Sequence, residues 1–134
     1  MPTDWGDNIL ISHLSDEPEL SEEFAAVFSE LNERAELEAK ARGGSIDAAG
    51  GGAGPHVVLD FGGVTYLNSS HIAQMLRMRK KLTELGRSLV LCSMSDDVWS
   101  VISLSGLDKI FRHAPDPMTA LAGLQIENDP REDA

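Results

Sequence analysis

Cysteine is nearly absent from this chain, cations are outnumbered two to one, and long apolar runs are missing altogether. The 134 residues include one cysteine, Cys92, which excludes an internal disulfide. Its apolar surroundings mark a small buried hydrophobe, not a nucleophile. No apolar run approaches the roughly 18 residues that a membrane span requires. The start, Met1-Pro2-Thr3-Asp4-Trp5, has neither the basic region nor the apolar stretch of a secretory signal. These absences lead to the expectation of a cytoplasmic location without membrane attachment.

Catalytic and cofactor signatures are missing too. His13, His56, His71 and His113 are scattered, without the paired spacing of zinc ligands. There is no Gly-x-Ser-x-Gly elbow. The glycine-rich stretch 43–54 leaves a helix and enters a strand. A phosphate-cradling loop does the reverse, and no Gly-Lys-Ser/Thr is present. The stretch reads as a flexible linker. Asp60-Phe61-Gly62 spells the metal motif of kinases, but a kinase needs about twice this length and a catalytic loop. Neither an enzyme nor a bound cofactor is expected.

Acidic residues are what the chain has in excess. The net charge is −11, unevenly placed. Residues 1–42 hold eleven acids and three bases, residues 43–126 seven of each, and residues 127–134 four acids and one base. Such a surface disfavours nucleic acid and anionic membranes, and suits a basic partner or simple solubility.

Length fits one domain, placed at 9–126 between an N-terminal segment, 1–8, and an acidic disordered tail, 127–134. Residues 9–14 form a short apolar strand. Ser21 is an N-cap with Glu22 and Glu23 in the first turn, and Phe24, Val27, Phe28, Leu31 and Ala35 follow at helical spacing to about residue 42. The run from His56 to Phe61, introduced by Pro55, is a strand buried on both faces. A helix from Ser69 buries Ile72, Met75, Leu76, Met78, Leu82 and Leu85 and stops at Gly86. Arg77, Lys80 and Lys81 lie opposite, whereas Arg79 falls within the apolar half and must snorkel or find a partner. Residues 88–92 are a further strand, and a helix with Val98, Val101 and Ile102 stops at Gly106. Trp99 falls off that apolar face, which makes it either a candidate partner anchor exposed to solvent or a side chain that folds back onto the core. Asp116-Pro117 opens a last helix over 118–124. Alternating strands and helices define an α/β sandwich with a largely parallel sheet.

Asn68-Ser69-Ser70-His71 stands where strand gives way to helix. Two serines therefore sit at a helix N-terminus, where unpaired N–H groups and the positive end of the dipole favour an anion such as a phosphate on Ser69 or Ser70. Capping by Asn68 or Ser69 explains the same residues without any phosphate.

Residues 58–72, Val-Leu-Asp-Phe-Gly-Gly-Val-Thr-Tyr-Leu-Asn-Ser-Ser-His-Ile, resemble the core motif of the STAS domain, typified by bacterial anti-sigma-factor antagonists. That pattern has an acid ending a buried strand, an aromatic-aliphatic pair, then Asp-Ser-Ser/Thr-Gly before a helix. Ser105-Gly106-Leu107-Asp108-Lys109-Ile110-Phe111 is similar to the family's Gly-Leu-x-x-(Ile/Leu)-Phe segment, and the likeness covers about residues 9–126. Asn68 stands where the family has Asp and His71 where it has Gly. Asp16 and Pro18 replace Gly and Leu, leaving Glu17 and Glu19 in the acidic positions, and only eight residues precede Ile9 for an edge strand. The resemblance implies a mostly parallel sheet of about four to five strands with about four helices, all on one face. It implies a non-enzymatic interaction module that binds an anti-sigma factor or serine-kinase-like protein, with weak homodimerisation as a further expectation. Ser69 would be the phosphoacceptor, flanked by Asn68, Ser70, His71, Asp60 and Glu19.

Two other readings stay open. Some STAS-like domains act as scaffolds or bind a nucleotide or other small ligand without phosphate switching. A receiver-type phosphoacceptor would use Asp60 with Asp16 or Glu17, Ser93 and Lys109, although the chain lacks a receiver's extra strand–helix unit.

Overall fold

In the computed structural model, residues 3–4, 9–41 and 54–128 are described. Five strands form one sheet in sequence order: β1 (Thr3–Asp4), β2 (Ile9–Ser15), β3 (His56–Gly63), β4 (Leu89–Cys92) and β5 (Arg112–Ala114). β1 pairs antiparallel with β2, and the other three pairings are parallel. The edge strand that the short N-terminus left in question is thus present, cut to two residues. β5 had no sequence signal, being three residues long with Arg112 and His113 exposed.

Four helices follow the strands: α1 (Glu19–Ala41), α2 (Ser69–Glu84), α3 (Asp96–Leu104) and α4 (Pro117–Asn128), with a 3-10 turn at Leu107–Lys109. The strands are apolar on both sides because helices cover both. Leu10, Leu14, Val57, Leu59, Phe61, Leu89 and Leu91 pack with Phe24, Leu31, Met75, Met78, Val98 and Ile102 from α1, α2 and α3. Ile9, Ile11, Val58, Val90 and Cys92 face the other way, against Ala120, Leu121 and Leu124 of α4. The expectation that every helix lies on one face is therefore corrected, since α4 alone covers the second.

Two boundaries and one burial also differ. α1 begins at Glu19, before the expected cap at Ser21. Glu17, beside a cis Glu17–Pro18 bond, supplies the capping instead, its carboxylate accepting the Ser21 N–H at 3.0 Å and hydroxyl at 2.7 Å. α4 continues to Asn128, into the residues assigned to a disordered tail. Leu76 is exposed on α2. The helix stops hold as expected. Gly86 and Gly106 take φ of 73° and 76°, and the Arg87 N–H returns to the Leu82 carbonyl at 2.8 Å, as a Schellman turn requires. Arg79 finds its partner in the Ile110 carbonyl, 3.2 Å from Nε. Of the linker 43–54, only Gly54 falls within the described residues, resting on Leu31 and Ala35 of α1.

Candidate functional site at the start of α2

Asn68 is the N-cap of α2, in extended conformation. Its Oδ1 accepts the His71 N–H at 3.0 Å, while its own N–H donates to His71 Nδ1 at 3.1 Å. The pair is a capping box with histidine in the place glutamate usually takes. Because Nδ1 is an acceptor, the proton of the neutral ring sits on Nε2, which donates to Glu17 Oε2 at 2.9 Å. His71 is fully buried, edge-on to Phe24 and to Tyr66. The side chain therefore turns under the loop and not outward from it. The bond from His71, then those from Ser21, hold the Glu17 carboxyl down at about 2.

A second strut lies alongside. Asp16 accepts the Thr65 N–H at 2.8 Å and its hydroxyl at 2.7 Å, and those bonds hold its carboxyl below the usual range. Gly63 permits this approach of β2 to β3, because a Cβ there would lie 2.6 Å from the Leu14 carbonyl oxygen. The 65–71 loop is thus tied at two points to the β2–α1 connection.

On this frame Ser69 is the first residue of α2, and Ser69 and Ser70 are both exposed. The His71 N–H is used by the cap and the Ile72 N–H by the Asn68 carbonyl. The Ser69 and Ser70 N–H groups take no protein partner among the described residues. Beside Ser69 a cavity of about 310 Å³ opens between α2 and α3, lined by Leu67, Ile72, Val101, Ser105 and Leu107. Leu76, on the Ser69–Ile72 face of α2, and Leu104 of α3, 88% exposed, are further apolar side chains that these two helices show to solvent.

The other expected site residues divide. Glu17, not Glu19, reaches His71; Glu19 lies exposed in the first turn of α1. Asp60 bonds instead to His13 Nδ1 at 2.6 Å and to the Gly62 N–H at 2.9 Å. Burial pushes its carboxyl up, but the Gly62 N–H, His13 and Ser93 together bring it below its ordinary value. Trp99 is half-buried, its ring 4.4 Å from that of His113. It lines a separate hollow with Met94 and Pro115, so α3 turns Val101 and Ser105, not Trp99, toward Ser69. Of the two positions open to it, the indole takes the one folded back in part onto the core.

Sequence reasoning missed both struts. The Asn68-x-x-His71 spacing was the available signal for the capping box. Of the set proposed for a receiver, Asp60 and Ser93 meet, but Asp16 is committed to Thr65 and Glu17 to His71 and Ser21. The sheet also runs in sequence order, without the 2-1-3-4-5 reversal of that architecture. Cys92 is buried, and burial pushes its thiol up to about 11. Among the described residues no group of three or more acidic, histidine or cysteine side chains is placed to hold a metal, and no helix is long and apolar enough to cross a membrane.

A parallel sheet with a short antiparallel edge strand and a serine-headed α2 defines a STAS-type fold. The family model for the STAS domain matches residues 16–120, and the chain belongs to that family. Solved structures share the fold at low identity. A STAS-domain anti-sigma-factor antagonist protein of Planctomyces limnophilus superposes with a TM-score of 0.68 at 17% identity, over 93% of this chain and 97% of the other. A protein of Thermotoga maritima, described as a candidate anti-sigma factor antagonist, gives 0.64 at 15% identity, over 91% and 92%. An RsbS variant of Moorella thermoacetica gives 0.59 at 14%, over 96% and 98%.

Proposed function

We propose that this STAS domain is a non-enzymatic interaction module of the anti-sigma-factor-antagonist kind, regulated through Ser69. The observation that carries the reading is the exposed Ser69 hydroxyl at the head of α2, on the lip of the apolar cavity between α2 and α3. An anti-sigma factor or serine-kinase-like partner would bury Ile72, Leu76, Val101 and Leu104 by inserting apolar side chains there. Phosphorylation of Ser69 adds about −1.5 to −2 charges at that lip. The Ser69 and Ser70 N–H groups favour the phosphate, while its charge and hydration oppose an apolar partner at the same place. Ser70, one step further into the helix, is the weaker acceptor.

The test is incubation with a partner serine kinase followed by intact mass measurement. A single phosphate is expected, stable in acid, absent from Ser69→Ala and retained in Ser70→Ala. The phosphorylated form should bind its partner at least tenfold more weakly. Unchanged labelling of Ser69→Ala would remove Ser69 as the acceptor, and undiminished partner binding would favour a phosphate-independent scaffold. An acyl phosphate labile to alkali and lost in Asp60→Asn would restore the receiver reading.

A further inference from the structure

Beyond the carboxyl ends of β4 and β5 lies a hollow that the reading of Ser69 does not use. β4 leads into α3, which packs with the large cluster, and β5 leads into α4, which packs with the small one. The strand order never reverses, yet the chain leaves these two neighbouring parallel strands toward opposite faces of the sheet. Open α/β sheets bind ligands where loops part in this way outside the carboxyl ends of their strands. A cavity of about 320 Å³ opens there, lined by Met94, Trp99, His113, Ala114 and Pro115. Met94 and Trp99 rest against the larger cluster and Ala114 against the smaller, so the hollow straddles the parting. Its volume falls within the roughly 300–1,000 Å³ of small-molecule pockets.

The lining is aromatic and the rim is acidic. The Trp99 and His113 rings stand 4.4 Å apart and tilted by 51°, so they are not stacked face to face. With Met94 and Pro115 they form a wall suited to a flat ring. Asp96 precedes Trp99 by three residues on α3 and shares its face, and Asp116 follows Pro115 directly. Burial pushes up the Cys92 thiol at the end of β4, and the charges of Asp60 and Asp116 push it further. Both carboxylates therefore stand near that strand end. No lysine or arginine lines the hollow among the described residues. The nearby Arg112 reaches Ser88, at the opposite end of β4.

We propose that this hollow binds a small planar aromatic cation, its ring against Trp99 and its charge toward Asp96 and Asp116. An indole face attracts a cation through its quadrupole, and the carboxylates on the rim add Coulomb attraction. An anion would meet the same carboxylates. Nor does the start of α4 offer it a free N-terminus, because Asp116 already accepts the Thr119 N–H at 2.7 Å. Ser93, just before Met94, holds a φ of 61°, a left-handed backbone that is uncommon outside glycine and gathers at ligand sites. The site is independent of the reading given to Ser69.

The probes are benzamidine, benzamide and benzoate, one flat ring carrying a positive, a neutral or a negative group. Each is titrated separately into the uniformly ¹⁵N-labelled full chain at fixed ionic strength and about pH 8, above the ordinary histidine range. Benzamidine should give saturable shifts of the Trp99 indole N–H and of the Met94, His113 and Ala114 amides, with those of Ser69 and Ile72 unmoved. Benzamide should bind about tenfold more weakly, and benzoate more weakly still. Trp99→Leu, followed at the Met94 and Ala114 amides, should lower benzamidine affinity about tenfold. Asp116→Asn keeps a capping side chain; it should weaken benzamidine about threefold and leave benzamide unchanged. That variant gives the reading should Trp99→Leu unfold. Benzoate binding as tightly as benzamidine would overturn the proposal, as would a folded Trp99→Leu that titrates like the parent. So would benzamidine shifts that stay linear, or that centre on Ile72 and Val101 in the other cavity. Shifts of the same resonances on raising the protein concentration alone would place a second copy of the chain in the hollow and equally overturn it.

Discussion

His71 and Glu17 show how one departure from a family pattern reorganises a loop. A glycine at the position of His71 would leave the helix start without the second half of its capping box. Here the imidazole spans from the Asn68 N–H to the Glu17 carboxylate, so the loop before α2 and the head of α1 are fastened by one buried ring. Glu17 also caps α1 through Ser21. Its folded pKa, about 2, lies below its ordinary value of 4.5. A depressed carboxyl stabilises the fold fully above its unfolded pKa, and that contribution is lost as pH falls through the folded one. The native chain should therefore lose melting temperature between about pH 4.5 and pH 2. Glu17→Gln should start lower at pH 7 and fall less steeply over that interval. Parallel melting curves for the two proteins across the interval would show that Glu17 is not the titrating group.

At the scale of elements, α3 shows where pattern reading succeeds and where it stops. Ser95 caps it through the Val98 N–H, Asp96 and Asp97 fill its first turn, and Gly106 ends it. All of these are local signals, of which the stop at Gly106 was read from the sequence and the Ser95 cap was not. The surroundings of Trp99 were not, because they depend on β5, a strand of three residues with little apolar content. Once β5 forms, His113 stands beside the indole, which is left half-buried. The same division holds at the candidate site. Asn68 and Ser69 could be placed at the helix head from neighbouring residues, whereas the inward turn of His71 depends on a partner 54 positions away. Trp99→Ala should cost about 1–3 kcal/mol in urea unfolding, between a fully buried aromatic and a surface residue. A change below about 0.5 kcal/mol would return the indole to solvent and restore it as a candidate partner anchor.

For the molecule as a whole, the sheet is a wall with unequal covers. α1, α2 and α3 share the large cluster on one side, and α4 alone closes the other. An unbroken apolar strand announces that both faces are covered but cannot say by which helix, so the side taken by α4 was illegible even though its Asp116-Pro117 start was clear. The serine-headed end of α2 and its apolar cavity belong to the three-helix side, which leaves α4 a stabilising role away from the candidate partner surface. Leu124 is fully buried against the strands, whereas Met118 on the same helix is 69% exposed. Leu124→Ala should therefore cost about 2–4 kcal/mol, the range for emptying a buried leucine site. Met118→Ser should stay within about 0.5 kcal/mol, as expected of a surface position. Because both faces share the same strands, the Leu124 variant should still unfold in one transition, with near- and far-ultraviolet dichroism falling together. Two separated transitions would mean that α4 comes away on its own, and a cost below about 1 kcal/mol would mean that it does not seal the second face at all.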